Sequence, residues 1–158
     1  MLKPHETTLS SDPADKLAAI ETLYRFAAGI DLRDYELLSS AFAPDAVSDF
    51  RPAAAKAGFE YPVLQGRDSI VAALSGSLKS LDTTHSVSNP RVIIDDETAR
   101  LDALVEAQHV PSGDPSRHYL MKNRYDVELV RLDGTWVIQR VTIDNVWRSG
   151  DPTVLAVI

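Results

Sequence analysis

A carboxylate at the end of an apolar helical stripe is the strongest indication of chemistry in this sequence. Asp31 continues a run of residues spaced by three or four, which places it on the same helical face as Ile20, Tyr24 and Ala27. Burial disfavours a charged carboxylate, and the helix dipole is unfavourable for it at this end. Asp31 therefore needs a polar partner, unless it faces solvent where the helix ends. Tyr24 offers a hydroxyl on the same face.

Histidine is the side chain best suited to move a proton near neutral pH. His85 begins a predicted strand and shares one face with Val87. His109 ends an alternating apolar strand and is predicted to point inward, whereas His118 falls on a polar face. A partnership with Asp31 would orient the His85 ring and make it a general base. A purely structural role for His85 fits the pattern as well.

Further polar and aromatic candidates surround this pair in the predicted strands and loops. Asn123 and Tyr125 share the inward face of an alternating strand, so we expect them to line a pocket. Phe50 and Tyr61 lie beside or within residues 51–66, a segment that predicts a loop. Its apolar side chains suit a cover that closes over a ligand and excludes water. Together these residues predict a site for a small hydrophobic molecule.

The order of the predicted elements favours the α+β class, because helices come first and strands follow. The capping sequence Ser11-Asp12-Pro13 predicts the start of the first helix. Further helices are predicted over residues 35–42 and 68–81, and strands over 46–50, 84–89, 92–94, 99–110, 118–132 and 135–147.

The last two strands are predicted to form a hairpin around Asp133-Gly134. A two-residue turn would place Leu129 opposite Ile138, and a three-residue turn would shift that register; the sequence leaves both open. Either register leaves apolar groups on both faces of the last strand. A sheet that is apolar on both faces predicts cover by helices on one side and by another subunit on the other. We therefore expect a homo-oligomer, a dimer or a trimer.

Composition limits the classes of partner and of chemistry. The net charge of −7 and the absence of a basic stripe disfavour nucleic acid as a partner. The absence of cysteine excludes disulfides and thiolate chemistry, and the histidines lack metal-ligand spacing. No apolar run reaches the roughly 18 residues of a membrane span. We expect a cytoplasmic protein without metal or other cofactor, with a disordered N-terminus over 1–11 and one domain over 12–158.

Several segments together resemble the SnoaL-like family of the nuclear transport factor 2-like superfamily. The resemblance covers about residues 13–155 and implies a cone-shaped barrel, in which a curved, mostly antiparallel sheet wraps around N-terminal helices. The matching segments are the helix ending in Asp31, the run Tyr35 to Asp45, the strand Ala46 to Phe50, Thr84-His85, Asn123-Arg124-Tyr125-Asp126, Asp133-Gly134 with Trp136, and Trp147 to Pro152.

The resemblance also implies a function. In scytalone dehydratase, hexachlorocyclohexane dehydrochlorinase and bile-acid 7α-dehydratase, an aspartate and a histidine at the positions of Asp31 and His85 form the catalytic pair. A further histidine of the first enzyme corresponds to His109. Its two substrate-polarising tyrosines are replaced here by Ile30 and Phe50, so scytalone-type polarisation is not implied. The expectation is a cofactor-independent dehydratase, isomerase or cyclase; the alternatives are a ligand-binding or scaffold protein and an epoxide hydrolase.

Overall fold

The computed structural model describes residues 9–10 and 12–155. Over that part of the chain it contains four α-helices, seven β-strands and one short 3-10 helix. The helices are α1 (Pro13–Asp31), α2 (Tyr35–Ser40), α3 (Arg51–Ala57) and α4 (Arg67–Leu78), and the 3-10 helix is Pro152–Leu155. The strands are β1 (Leu9–Ser10), β2 (Phe42–Asp49), β3 (Leu64–Gln65), β4 (Leu81–Asp95), β5 (Thr98–Pro111), β6 (Tyr119–Leu132) and β7 (Thr135–Gly150).

Helix α1 begins where the sequence predicts. The Asp12 carboxylate accepts a hydrogen bond from the backbone N–H of Ala14, and Pro13 occupies the first turn, where its missing N–H leaves nothing unpaired. The helix ends at Asp31, and Arg33 follows it with a positive φ of 54°. Apolar side chains of α1 enter the core, so the helix holds Asp31 against the sheet. The largest of them are Leu23, Phe26 and Ile30.

The strands form one sheet in the order β1-β4-β5-β6-β7-β2-β3. All neighbouring pairs are antiparallel except β2 and β7, which run parallel. Helices pack against this sheet, which confirms the predicted α+β class. Within the described residues the two edge strands β1 and β3 do not pair with each other, so the sheet is open and the predicted barrel is not closed.

The β6–β7 hairpin resolves the register that the sequence left open. Leu132 pairs with Thr135 and Leu129 lies opposite Ile138, which defines a two-residue turn. Both turn residues have positive φ, 50° at Asp133 and 78° at Gly134, as a type I′ turn requires. A bulge at Glu128/Leu129 then shifts the pairing by one residue. The two-residue register therefore holds from Leu132 to Leu129. Beyond the bulge Glu128 pairs with Arg140 and Val127 with Val141, a register that neither predicted turn gives.

Two predicted segments differ from the structure. Residues 51–66 were expected to be a loop, but Arg51–Ala57 forms α3, which starts with Pro52 in its first turn and ends at Gly58 with a φ of 92°. The predicted strands 84–89 and 92–94 are one continuous strand, β4. Its register shifts between Ser88 and Arg91, so Pro90 is accommodated at an irregularity rather than ending the strand.

The N-terminal segment predicted to be disordered contains a short strand. Leu9 pairs with Asp95 and Ser10 with Ile94 at the edge of the sheet. Residues 1–8 and 11 lie outside the described residues, so for them disorder stays a prediction, as does the homo-oligomer. Across the part of the chain that the structure describes, no helix is long and apolar enough to cross a membrane.

We expect Gly29→Ala to destabilise the protein by about 2 kcal/mol, because overpacking a dense core typically costs that much. A Cβ at Gly29 would lie 2.6 Å from the backbone nitrogen and 2.7 Å from the Cα of Leu38, where α1 meets α2. Gly76 in α4 is the matched control, since its Cβ would meet no atom within 4 Å. Gly76→Ala should stabilise by about 0.5–1 kcal/mol. Urea unfolding measures both changes, and an equal effect of the two would contradict this packing.

Candidate active site

The end of α1 and the start of β4 bring Asp31 and His85 into direct contact. The Asp31 Oδ1 atom lies 2.7 Å from His85 Nδ1, and its Oδ2 accepts the backbone N–H of His85 at 2.7 Å. The hydroxyl of Thr83, two residues earlier on the same strand face, donates to Oδ1 at 3.0 Å. Both carboxylate oxygens are therefore held by the edge of one strand.

The hydrogen bonds keep Asp31 ionised. Burial acts to raise its pKa, but the hydrogen bonds and charge of His85 and the hydroxyl of Thr83 outweigh burial and leave the pKa below its ordinary value. An ionised carboxylate can only accept, so the proton shared with His85 resides on Nδ1. The imidazole is thereby held in one tautomer, whose Nε2 carries a lone pair when the ring is neutral.

The His85 ring is buried and packed on an aromatic side chain. Its side chain is only 5% exposed, and it lies edge-to-face with Phe26 at 6.4 Å between ring centroids. Phe26 in turn meets Phe42 and Tyr125, each with ring centroids 5.9 Å away. Since Asp31 occupies Nδ1, Nε2 is the nitrogen left to meet a ligand.

His85 lines a cavity of about 220 Å³ between the helices and the sheet. Its walls are mostly apolar and aromatic, and no lysine or arginine is among the described residues that line it. The lining residues are Phe26, Ile30, Ser48, Phe50, Phe59, Glu60, Tyr61, Leu64, Leu74, Ser77, Leu78, His85, Ala107, His109, Met121, Asn123, Tyr125, Ile143 and Leu155.

A second histidine faces the same cavity from β5. His109 is 4% exposed, and its ring lies edge-to-face with His85 at 5.9 Å between centroids. Its Nδ1 lies 3.1 Å from the backbone oxygen of Tyr119 on β6. Burial, together with the neighbouring His85, lowers the pKa of His109 from 6.5 to about 4. The ring is consequently neutral near pH 7.

Tyr125 and Asn123 add hydrogen-bond donors to the cavity. Burial and, to a smaller extent, the charge of Asp31 raise the pKa of Tyr125 well above its ordinary value, so its hydroxyl keeps its proton. The Asn123 side-chain oxygen accepts from the Asn145 amide at 2.9 Å. That bond commits the oxygen and directs the Asn123 NH₂ group away from Asn145, where it is available to a ligand.

The predicted site residues divide between the cavity and the surface. Phe50 and Tyr61 line the cavity and meet edge-to-face, 5.7 Å apart between ring centroids. Tyr24 is 41% exposed and does not line it. The structure does not support its prediction as a substrate-binding residue, because the buried face of α1 runs through Leu23, Phe26 and Ile30 and Tyr24 lies outside that face.

Some lining residues were not identified from the sequence. Leu74, Ser77 and Leu78 of α4 enter the cavity, and Leu155 reaches it from the 3-10 helix. Residues 74, 77 and 78 are spaced by three or four and so share one face of the helix, which the periodicity of the sequence could have predicted. Thr83 also had a signal, since it lies two residues before His85 and therefore on the same strand face.

The arrangement needed for an epoxide hydrolase is not found among the described residues. Asp126 pairs with Arg100, and Asp144 with Lys56, both on the exposed side of the sheet. The most buried aspartate, Asp49, is bound by the exposed Arg51 and does not line the cavity. Nor do these parts of the chain contain a group of three or more His, Asp or Glu side chains placed to hold a metal ion.

Comparison with known proteins identifies the class and then the family. Kfla4162 of Kribbella flavida has the same fold, with a TM-score of 0.80 at 23% identity over 90% of this chain and 97% of that one. A proposed scytalone dehydratase of Novosphingobium aromaticivorans superposes with a TM-score of 0.71 at 21% identity, over 86% and 87% of the two chains. These likenesses confirm the nuclear transport factor 2-like fold.

The chain belongs to the SnoaL-like family, because residues 12–142 match the SnoaL-like domain that defines the family. Terrestric acid biosynthesis cluster protein E of Penicillium crustosum is 30% identical over 145 residues, 87% of each chain. The family includes dehydratases, dehydrochlorinases and cyclases. Membership therefore narrows the chemistry to a group of related reactions without selecting one.

We expect His109 to make stability depend on pH between about 6.5 and 4. In that window the unfolded chain binds a proton that the folded protein excludes, so the free energy of unfolding falls as the pH is lowered. Each pKa unit corresponds to roughly 1.4 kcal/mol, so the free energy of unfolding should fall by about 3 kcal/mol across this window. His109→Gln should remove this loss, and His118→Gln, a change outside the cavity, should keep it. Urea unfolding from pH 7 to 4 measures the slopes; an unchanged slope in His109→Gln would contradict the assignment.

Proposed function

We propose that this protein is a cofactor-independent lyase or isomerase in which His85 removes a proton from carbon. The substrate is a small hydrophobic molecule of polyketide, terpenoid or steroid type, and the preferred reaction is dehydration or a related elimination. One observation carries the proposal: the 2.7 Å contact between Asp31 and His85 leaves Nε2 of a buried imidazole for a ligand in an apolar cavity.

The first step is transfer of a proton from a carbon next to a carbonyl to Nε2 of His85. The C–H bond breaks, its electron pair moves into the carbonyl as an enolate, and His85 becomes an imidazolium. Asp31, ionised and hydrogen-bonded to Nδ1, stabilises that charge. A well-placed general base contributes roughly 10²- to 10⁴-fold to the rate, so further stabilisation has to come from elsewhere in the cavity.

Donors across the cavity are suited to the enolate oxygen. Tyr125 retains its hydroxyl proton, and the Asn123 NH₂ group has its oxygen partner already fixed by Asn145. Fixed donors in a water-poor site stabilise developing charge without having to reorganise. In an elimination the departing hydroxyl takes the proton held by His85 and leaves as water, which returns the pair to its starting state.

The cavity favours an uncharged substrate with one or two rings. An apolar cavity of about 150 Å³ holds a benzene molecule, so about 220 Å³ suits a somewhat larger ring system. No cationic side chain lines the described cavity to pair with a carboxylate, and Glu60 at its wall opposes one. The relative from a biosynthetic cluster supports small-molecule metabolism as the setting.

Elimination, double-bond isomerisation and aldol cyclisation share this first proton transfer, so the transfer itself is the step to test. We expect the protein to catalyse exchange of the α-hydrogens of 2-tetralone, a neutral bicyclic ketone, with deuterium in D₂O. Proton NMR follows the loss of the α-signal without any assumption about the later steps. Binding of 2-tetralone without exchange above buffer would support a ligand-binding protein instead.

We expect Asp31→Asn to lower the exchange rate by on the order of 10³- to 10⁴-fold, because the amide can no longer fix the tautomer or stabilise the imidazolium. His85→Ala should lower it at least as much, because Asp31 acts only through the base that this change removes. Asp82→Asn is the matched control, since Asp82 is an exposed carboxylate on the same strand that pairs with Arg33.

Binding and melting measurements complete the design. The Asp82→Asn control should exchange at the wild-type rate, and all variants should still bind 2-tetralone in a calorimetric titration. Exchange that persists at the wild-type rate in both Asp31→Asn and His85→Ala would overturn the proposal, provided thermal melting shows that each variant is folded.

A further inference from the structure

We propose that His109 acts as a hydrogen-bond acceptor for a hydroxyl group of the substrate, and that the substrate class is therefore a cyclic hydroxy ketone or enol rather than a simple ketone. The inference deepens the proposed function and rests on it for the identity of the site.

The tautomer of His109 follows from its backbone contact. A carbonyl oxygen can only accept, so the 3.1 Å contact between Nδ1 and the Tyr119 oxygen places a proton on Nδ1. The ring is 4% exposed and sits in the cavity wall, where burial disfavours the charged form. A neutral ring with its proton on Nδ1 has only a lone pair on Nε2.

The neighbouring histidine keeps His109 neutral during turnover. The rings of His85 and His109 lie 5.9 Å apart, and His85 takes up a positive charge when it accepts the substrate proton. A protonated His109 would then face a second imidazolium, and the carboxylate that could offset both, Asp31, is already bound to His85. His109 is thus unsuited to act as an acid at the moment when an acid is needed.

The lone pair on Nε2 of His109 lies in an apolar wall, so a ligand has to supply the hydrogen-bond donor that pairs with it. The neutral His85 also presents a lone pair at Nε2, so the two rings cannot hydrogen-bond to each other before the reaction. A ligand without a hydroxyl leaves the His109 acceptor unpaired, and a site built for a hydroxyl discriminates against such ligands. His109 is therefore a residue that sets specificity.

The test compares 2-naphthol with 2-methoxynaphthalene, two ligands of similar shape that differ in one donated hydrogen bond. Isothermal titration should show that the wild-type protein prefers 2-naphthol by about fivefold to tenfold, the range of one net hydrogen bond. Because the lone pair of His85 could also accept from 2-naphthol, His109→Phe is compared in the His85→Ala background, where the two affinities should agree within about twofold. Naphthalene should bind His109→Phe at least as tightly as the wild type, because it leaves the His109 acceptor unpaired only in the wild-type protein, and its binding shows that the cavity is intact.

A spectroscopic measurement keeps the proposal testable if His109→Phe does not fold. In the ¹⁵N spectrum of the wild-type protein, Nε2 of His109 should have the shift of an unprotonated nitrogen and Nδ1 that of a protonated one, from pH 5 to 8. A protonated Nε2, or an undiminished preference for 2-naphthol when His109→Phe is combined with His85→Ala, would overturn the proposal. Either result leaves the deuterium-exchange test of Asp31 and His85 unaffected, so the two failures can be told apart.

Discussion

The structure of the site depends on one carboxylate at the end of a helix being held by the edge of one strand. Asp31 receives three hydrogen bonds, from the backbone and ring of His85 and from the hydroxyl of Thr83. Those bonds offset both the cost of burial and the unfavourable helix dipole. Because they come from a single short run of β4, the contact that joins helix to sheet also orients the imidazole.

That constraint explains why the rest of the cavity is apolar. Edge-to-face packing on Phe26 leaves the buried His85 ring few alternative orientations, so the apolar wall helps Asp31 to hold it. Burial in the same walls keeps His109 neutral and the Tyr125 hydroxyl protonated. The cavity thus contains a proposed base oriented by its bond to Asp31, together with an acceptor and a donor whose protonation is set by burial.

The sequence predicted the parts of the structure that depend on local patterns. The start of α1 at Asp12-Pro13 and the inward face of β6 with Asn123 and Tyr125 follow from capping and alternation. It could not place Tyr24, because apolar residues occur on two neighbouring faces of α1 and only the packed structure shows that the face with Leu23, Phe26 and Ile30 is the buried one. Helix α3 was not predicted, because Arg51–Ala57 was assigned to the same loop, residues 51–66, as the aromatic residues that follow it.

The direction of the His109 hydrogen bond shows what a pattern cannot supply. Alternation along β5 places the ring inward, but whether it donates or accepts depends on Tyr119, a residue of the next strand whose backbone oxygen lies within reach only because of the β5–β6 register. The Nδ1–H groups of the two histidines therefore donate to partners of different charge, a carboxylate for His85 and a neutral carbonyl for His109. The carboxylate can stabilise a positive ring and the neutral carbonyl can do so only weakly, which distinguishes the proposed base, His85, from the proposed substrate-binding residue, His109.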